Sequence, residues 1–464
     1  MIPVSRTTPA DRPSAPPPQS GVTPLTESGA RSHVSGVCFK IGPPELVGVE
    51  IEWFVHDDRC PDRPVPPELI RSALDSLPLG GPDGTSLPSG SRLTLEPGGQ
   101  VELSSPPASG LMACVDDTRR DLTALRAAFA ARGLRLTGTG TDPSARPREM
   151  VLDHPRYLAM ERFFSSAGPW GRIMMTGTAS VQVCVDAGDA DGPQAVARRW
   201  QLVHRLGPVL VAAFANSPVL DGKATGHRST RQTVWSRMDP TRTLAPAPDH
   251  GDPGEAWAQY VLDAQVLCMR RPEGLPWTAP PGLTFRDWIR GGGERPPTLA
   301  DLDYHRTTLF PPVRPHGYLE LRMIDAQPGD GWMVPAALVT ALLDDPLAAE
   351  ATLAALEPLE RLERRGHPQR PDGREHPAAR APRSEAWRRA ATLAVADPEL
   401  RRATLACFAA ADAALGRMPG AERLRATVGA FAERYPARGR CPADDQLDAL
   451  RAGTRRTPPE EPAP

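Results

Sequence analysis

An α+β fold, with an antiparallel sheet carrying helices on one face and a helical part at the C-terminal end, is what this 464-residue sequence predicts. Strand-like and helix-like stretches alternate from about residue 45 to 325, and several of the strands put charged side chains on one side and apolar ones on the other. Beyond residue 333 Ala, Leu and Arg dominate with helical periodicity and no good strand. Strands with interspersed helices, followed by helices alone, pack as a sheet covered on one face. The other face is then free to floor a cleft.

The first strand, "ELVGVEIEWFV", shows the pattern best. Successive side chains of a strand point to opposite faces, so Glu50 and Glu52 share one face roughly 6 to 7 Å apart while Val49, Ile51 and Trp53 take the other. Taken alone, E-x-E also describes a strand with one wet face. "RLTLEPGGQVELSS" reads as a hairpin turning at "EPGG", with Glu96 and Glu102 expected to meet across the ladder. "GLRLTGTGT", "RIMMTGTASVQVCVDA" and "GYLELRMIDA" are the remaining strands, and the last sets Glu320 and Arg322 on one face with Leu319, Leu321 and Met323 on the other. That pair reads equally as a structural ion pair. Between the strands, "DDTRRDLTALRAAFAARG" is a helix with Leu122, Leu125 and Phe129 on one side and Gly133 as its stop. "PQAVARRWQLVHRLGPVLVAAFANSP" is a second, more buried towards its end. The segment from 366 to 385 is expected to be a mobile loop.

Composition narrows the class. A hydrophobic fraction of 40% with 24% charged residues belongs to a globular protein, and a formal net charge of -2 gives no global attraction to nucleic acid or a membrane. Lys40 and Lys223 are the only lysines, so phosphate neutralisation would fall to arginines, Mg²⁺ or Lys223. Seven cysteines lie scattered without a C-x-x-C pair, which favours buried free thiols and a reducing, cytoplasmic setting. The N-terminal stretch lacks the apolar segment of a signal peptide, and the most apolar run, at 207 to 220, is too short to span a bilayer. The expected organisation is a disordered extension over 1–40, a catalytic core over 41–332, a helical part over 333–450 and a flexible tail over 451–464. No motif encodes an oligomeric state, and a monomer is the default.

Five glutamates on the polar faces of these strands make a constellation that wet strands explain poorly. Mg²⁺ takes carboxylate oxygens and keeps positions for substrate phosphates. Several carboxylates can hold more than one such ion, which together clamp a transferring phosphoryl group, and the implied ligand is ATP. There is no G-x-x-x-x-G-K-[ST] loop, no G-x-S-x-G elbow and no H-E-x-x-H, and "GTGTDP" lacks the further glycine and helix start of a dinucleotide site.

The stretches "VGVEIEWF", "LEPGGQVELSS", "GTGTDP", "MMTGTASVQVCVD", "FANSPVLDGKATGHRSTRQTVW" and "HRTTLFPPVRPHGYLELRMID", in this order over roughly 45 to 328, resemble the plant-type glutamate–cysteine ligase family and its actinobacterial ergothioneine-pathway members. The resemblance implies a glutamine-synthetase-like fold, a curved antiparallel sheet flooring a funnel where Mg²⁺, ATP and glutamate meet. Carried over position by position, it implies Glu50, Glu52, Glu96, Glu102 and Glu320 as Mg²⁺ ligands. Arg322, which would stabilise the moving phosphoryl group, and Glu52 are the implied catalytic residues. Lys223, Arg231, Gln182 and Arg322 would contact the nucleotide, Gln182 standing where related ligases carry a histidine. Trp235, Arg231, Thr178 and His305 would line the substrate pocket, with Thr307 and Arg314 near the same mouth. The implied reaction joins L-glutamate to L-cysteine through an acyl phosphate. A ligase for a different amine, a non-catalytic ATP- or amino-acid-binding regulator, and a metal-dependent phosphohydrolase are the alternatives.

Overall fold

The computed structural model describes residues 2–3, 24–60, 62–77, 86–246, 251–272, 274–366 and 380–453. Its strands are β1 (Ile2–Pro3), β2 (Leu46–Asp57), β3 (Arg92–Leu95), β4 (Val101–Ser104), β5 (Ala108–Ser109), β6 (Leu134–Thr137), β7 (Ser180–Asp186), β8 (Val219–Leu220), β9 (Lys223–Ala224), β10 (Val313–Pro315) and β11 (Tyr318–Asp325). One antiparallel sheet runs β1-β3-β4-β2-β7-β11-β10, with β5 and β6 pairing the two ends of β2, while β8 and β9 form a separate hairpin. The strand "GVEIEWF" thus lies within the longest and most connected strand of the sheet.

The apolar face of this sheet is dry. Val47, Val49, Ile51, Trp53 and Val55 of β2, Val181, Val183 and Val185 of β7 and Leu319 and Leu321 of β11 are all buried. Helices Leu111–Ala130, Val196–Phe214 and Met333–Asp344 pack on β2, β11 and β7 respectively. The helix Met333–Asp344 is apolar on every side, as a helix must be when it is sandwiched between a sheet and further helices. Helices Pro346–Gly366, Pro398–Leu415 and Glu422–Arg434 close over it and share the same continuous core. The C-terminal helices therefore form an outer layer over the sheet's covered face. Among the described residues, no single helix is long and apolar enough to cross a membrane.

Several expectations need correction. Residues 27–38, placed in a disordered extension, form a helix capped by Thr26 Oγ1, which accepts from the Gly29 N–H at 3.1 Å. The helix packs on Pro253–Asp263 through Ala30, Val34 and Cys38, and the indole of Trp257 donates to Cys38 Sγ at 3.2 Å. Its buried stripe is made of small residues, too weak a periodic signal to stand out. "RIMMTG", read as strand, is the end of helix Trp170–Gly177, and the strand starts only at Ser180. In the hairpin the register is Thr94 to Glu102, and Glu96 closes the turn opposite Gln100, so Glu96 and Glu102 are not cross-strand partners. The mobile-loop reading falls largely on 367–379, and most of the expected extension and tail fall on 4–23 and 454–464, outside the described residues.

The "GTGTDP" stretch also finds its reason in packing. A Cβ on Gly138 would lie 1.9 Å from the Gln327 carbonyl oxygen, and one on Gly140 would lie 2.5 Å from Asp325 Cγ. These glycines let the backbone press against the end of β11. Gly138→Ala is expected to destabilise the protein by about 1–3 kcal/mol, as overpacking does. Gly36→Ala, in a helix with nothing within 4 Å of the new methyl, is expected to stabilise it by about 0.5–1 kcal/mol. Urea midpoints of the two variants would show the opposite signs.

Candidate active site

The sheet's polar face gathers the carboxylates. On β2, Glu52 stands directly opposite Glu102 of β4, and Glu50 opposite Gln182 of β7. One step further along β7, Cys184 is flanked by Gly48 of β2 and Glu320 of β11. Each position follows from the period of two in strands whose other face is locked in the core. Glu102 is held by hydroxyl donors, Thr94 Oγ1 at 3.0 Å and Ser104 Oγ at 3.1 Å. Glu52 accepts from the Ser180 N–H at 2.8 Å and from Gln182 Nε2 at 3.3 Å. Glu50 Oε2 is buried with no hydrogen-bond partner.

Burial, with mutual repulsion added, decides the ionisation of this group. Removal from water pushes Glu50 up to about 8, with the Glu320 charge next in weight. Desolvation lifts Glu52 to about 7, aided by Glu96, and Glu102 rises well above the ordinary carboxylate range for the same reason, with Glu50 beside it. Glu320 goes the other way. Burial would raise it, but Arg314 and Arg322 outweigh that and hold it at about 2. Arg314, opposite Glu320 on β10, donates to both its oxygens at 2.6 and 3.0 Å, and Arg322 Nη1 lies 3.2 Å from Oε2. The ion pair expected between Glu320 and Arg322 is present, strengthened by a second guanidinium that sequence had placed only near the mouth.

Arg322 also donates to Gln182 Oε1, so the glutamine links the arginine to Glu52. Beside it lies Arg231, carried on the short helix Thr230–Ser236, which Ser229 caps. Arg231 Nη2 donates to the Arg322 carbonyl at 2.8 Å, its Nη1 stands 3.9 Å from Asp325 Oδ1, and its Nε and Nη1 are buried without hydrogen-bond partners. A buried guanidinium with two idle N–H directions is poised to receive an anion. The guanidinium carbon is 5.9 Å from the centre of the Trp235 ring, which with Phe310, Pro312, Met323, Gln232 and Arg322 lines a small open cleft. Asp325 anchors this side, accepting from Asn216 N at 2.9 Å, Ser217 Oγ at 2.6 Å and Ser229 Oγ at 3.0 Å.

Other expected residues stand apart. His305 is a core histidine: its ring stacks on Phe285 with centroids 5.0 Å apart, and Nε2 bonds the Val261 carbonyl at 3.0 Å. Thr307 Oγ1 donates to the Tyr304 carbonyl and accepts from Arg156. The Thr178 hydroxyl proton goes to the Met174 carbonyl at 2.7 Å, leaving it only acceptor capacity. Lys223 is exposed on the β8–β9 hairpin, whereas Glu102 and Glu320 are buried and Glu50, Glu52 and Glu96 half-buried. Sequence reasoning passed over Cys184, which follows Gln182 by the period of a strand, and Asp325, which a register shift in β11 between Leu321 and Ile324 takes out of that period. It also passed over Tyr157, whose buried, unpartnered hydroxyl is pushed to higher pKa by desolvation and then by Glu96 and Glu102. No strand pattern marks a tyrosine in the helix Pro155–Ser165.

Comparison with known proteins shows the family. The model of glutamate–cysteine ligase family 2 (GCS2) matches residues 46–461. Glutamate–cysteine ligase EgtA of Mycolicibacterium smegmatis is 42% identical over 386 residues, 82% of each chain. The chloroplastic glutamate–cysteine ligase of Medicago truncatula is 30% identical over 68% of this chain and 64% of its own. Among solved structures, a Francisella tularensis glutamate–cysteine ligase in complex with AMP superposes with a TM-score of 0.50 over 89% of this chain and 86% of that one; at 13% identity this shows a shared fold.

The charge arrangement separates two substitutions. Glu320→Gln strands Arg314 in the interior and is expected to cost about 3–5 kcal/mol, as breaking a buried pair does. Glu50→Gln removes a repelled carboxylate. Because the folded pKa of Glu50 is raised to about 8, the folded state binds the extra proton, and its stability falls as pH rises from the unfolded value towards 8. The Gln variant of the metal-free chain should therefore match the parent near pH ~4.5 and exceed it by about 3–5 kcal/mol above pH ~8. Denaturant titrations at the two pH values check both.

Proposed function

The chain belongs to glutamate–cysteine ligase family 2, and from that premise we propose that it joins the γ-carboxylate of L-glutamate to the amine of L-cysteine at the expense of ATP, supplying γ-glutamylcysteine to ergothioneine biosynthesis. One observation carries the reading: a sheet face crowded with carboxylates, three of them raised by burial, borders Arg314, Arg322 and Arg231, the last with unused N–H groups. Such a face is complementary to divalent cations and to the anions those cations accompany.

The donor set fits Mg²⁺. Glu50, Glu52, Glu96, Glu102 and Glu320 offer hard oxygens, and Glu50 Oε2 is a buried acceptor without a hydrogen-bond partner among the described residues. Cys184, raised well above its ordinary pKa by burial and then by Glu50, stays a neutral thiol towards such a cation. Glu320 keeps lone pairs beyond those that Arg314 and Arg322 engage. Mg²⁺ bound by these residues would offset charge on phosphate oxygens during transfer.

A carboxylate does not acylate an amine at neutral pH because oxide is too poor a leaving group. The γ-carboxylate of glutamate therefore attacks the γ-phosphorus of ATP, ADP departs, and an acyl phosphate forms. The cysteine amine then adds to the acyl carbon, phosphate leaves with the bonding electrons, and the ammonium proton is lost. Arg322, steadied by Gln182 and Glu320, would donate to the oxygens of the moving phosphoryl group. Arg231 would hold a substrate carboxylate or phosphate through Nε and Nη1, with Trp235 walling the cleft. No enzyme nucleophile is needed.

An assay of ADP release with Mg²⁺, ATP and L-glutamate should show dependence on L-cysteine and yield γ-glutamylcysteine by mass spectrometry. Arg322→Met should lower kcat by about 10²–10³-fold, the scale of losing one transition-state donor. Activity with another amine alone would move the acceptor assignment, and ATP consumed without any amine would favour hydrolysis. Because Mg²⁺ binds carboxylates and must expel their protons, its affinity should rise between about pH 6.5 and 8.5. Calorimetry in buffers of different ionisation enthalpy would detect the released protons.

A further inference from the structure

We propose that Glu50, Cys184 and Glu320 form a site for a thiophilic divalent cation of the Zn²⁺, Co²⁺ and Cd²⁺ class, set within a floor that otherwise offers oxygen donors. A carboxylate oxygen of each glutamate and Cys184 Sγ all lie within 4.8 Å of one another. Three ligands at about 2.0–2.3 Å from one ion stand about 3.3–3.8 Å apart, so modest side-chain rotation closes the set. Glu50 Oε2, buried and unpartnered, is the independent sign that something is received here. Gly48 stands opposite Cys184, and a methyl there would lie 3.7 Å from Cys184 Cβ and 3.5 Å from Ser105 Oγ.

Charge explains why a soft ion belongs at this point. Arg314 and Arg322 both pair with Glu320, so that carboxylate brings little net negative charge to a cation. A thiophilic ion supplies the deficit by forming an S–metal bond while the thiol proton leaves to solvent. Mg²⁺, which prefers oxygen, gains nothing from sulfur. Occupied in this way, Glu50 and Glu320 are withdrawn from Mg²⁺, and the soft ion is an inhibitor. That consequence rests on the ligase reading, whereas binding itself rests on the geometry.

The test is optical titration of the metal-free full-length chain with Co²⁺ and Cd²⁺, following the thiolate-to-metal charge-transfer band. The parent should develop the band, Cys184→Ser should lose it and bind Zn²⁺ about 10–100-fold more weakly, and Mg²⁺ in excess should reverse it. Cys60→Ser, changing the exposed cysteine, should keep it. Absence of the band in the parent, or its survival in Cys184→Ser with native circular dichroism, overturns the site. A band indifferent to excess Mg²⁺ overturns the overlap. Failure of the ligase reading would show separately, as no cysteine-dependent ADP from the parent with Mg²⁺ alone.

Discussion

Repulsion between glutamates held on one face of β2 and its neighbours is the constraint on which the site depends. Glu52 and Glu102 face each other across adjacent strands, and Glu50 feels Glu320 from two strands away. Nothing in their own chemistry would assemble them. The opposite face does so: Val49, Ile51 and Trp53 are buried, and a slip of one residue would exchange the two sets of side chains. Hydrophobic burial thus holds the carboxylates in an arrangement that only protons or cations relieve.

The arginine side is organised by a different device. Asp325, at the end of β11, gathers the backbone of Asn216 and the hydroxyls of Ser217 and Ser229, and it faces Arg231. The segment is also gripped from outside. Ala391 O accepts from both Arg228 N and Ser229 N at 2.9 and 2.8 Å, Arg228 pairs with Asp444, and Gln446 Nε2 donates to Asn216 Oδ1 at 2.6 Å. The C-terminal helices, which carry no motif, therefore help to aim the guanidinium that borders the carboxylates. Their contribution to the site is positional.

Binding, specificity and inhibition would all draw on the same narrow row of side chains. Gln182 joins Glu52 to Arg322, and Cys184 follows it at the next position of the row. A strand delivers a neutral amide, a thiol and its neighbours' carboxylates within one cleft because every second residue must face it. Small changes along β7 are thereby placed to alter which cation the floor prefers.

The local sequence determined which residues face the cleft. Alternation in "GVEIEWF", "QVELSS", "SVQVCVD" and "YLEL" separates polar from apolar faces, because the period of a strand is a local property, whereas the register shift of β11 after Leu321 brings Met323 to the cleft beside Arg322. The local sequence also carried the fold class and the helices after residue 333. Partnership across strands was not local. That Glu102 meets Thr94 instead of Glu96 and that Arg314 clasps Glu320 were decided by hairpin register, and that Glu102 also meets Glu52 and His305 serves the core by packing between segments far apart in the chain. The helix at 27–38 was hidden for a related reason, since its small buried residues acquire meaning only against Pro253–Asp263. Periodicity assigns a side chain to a face, but only the folded chain supplies its neighbour, and the neighbour sets its charge.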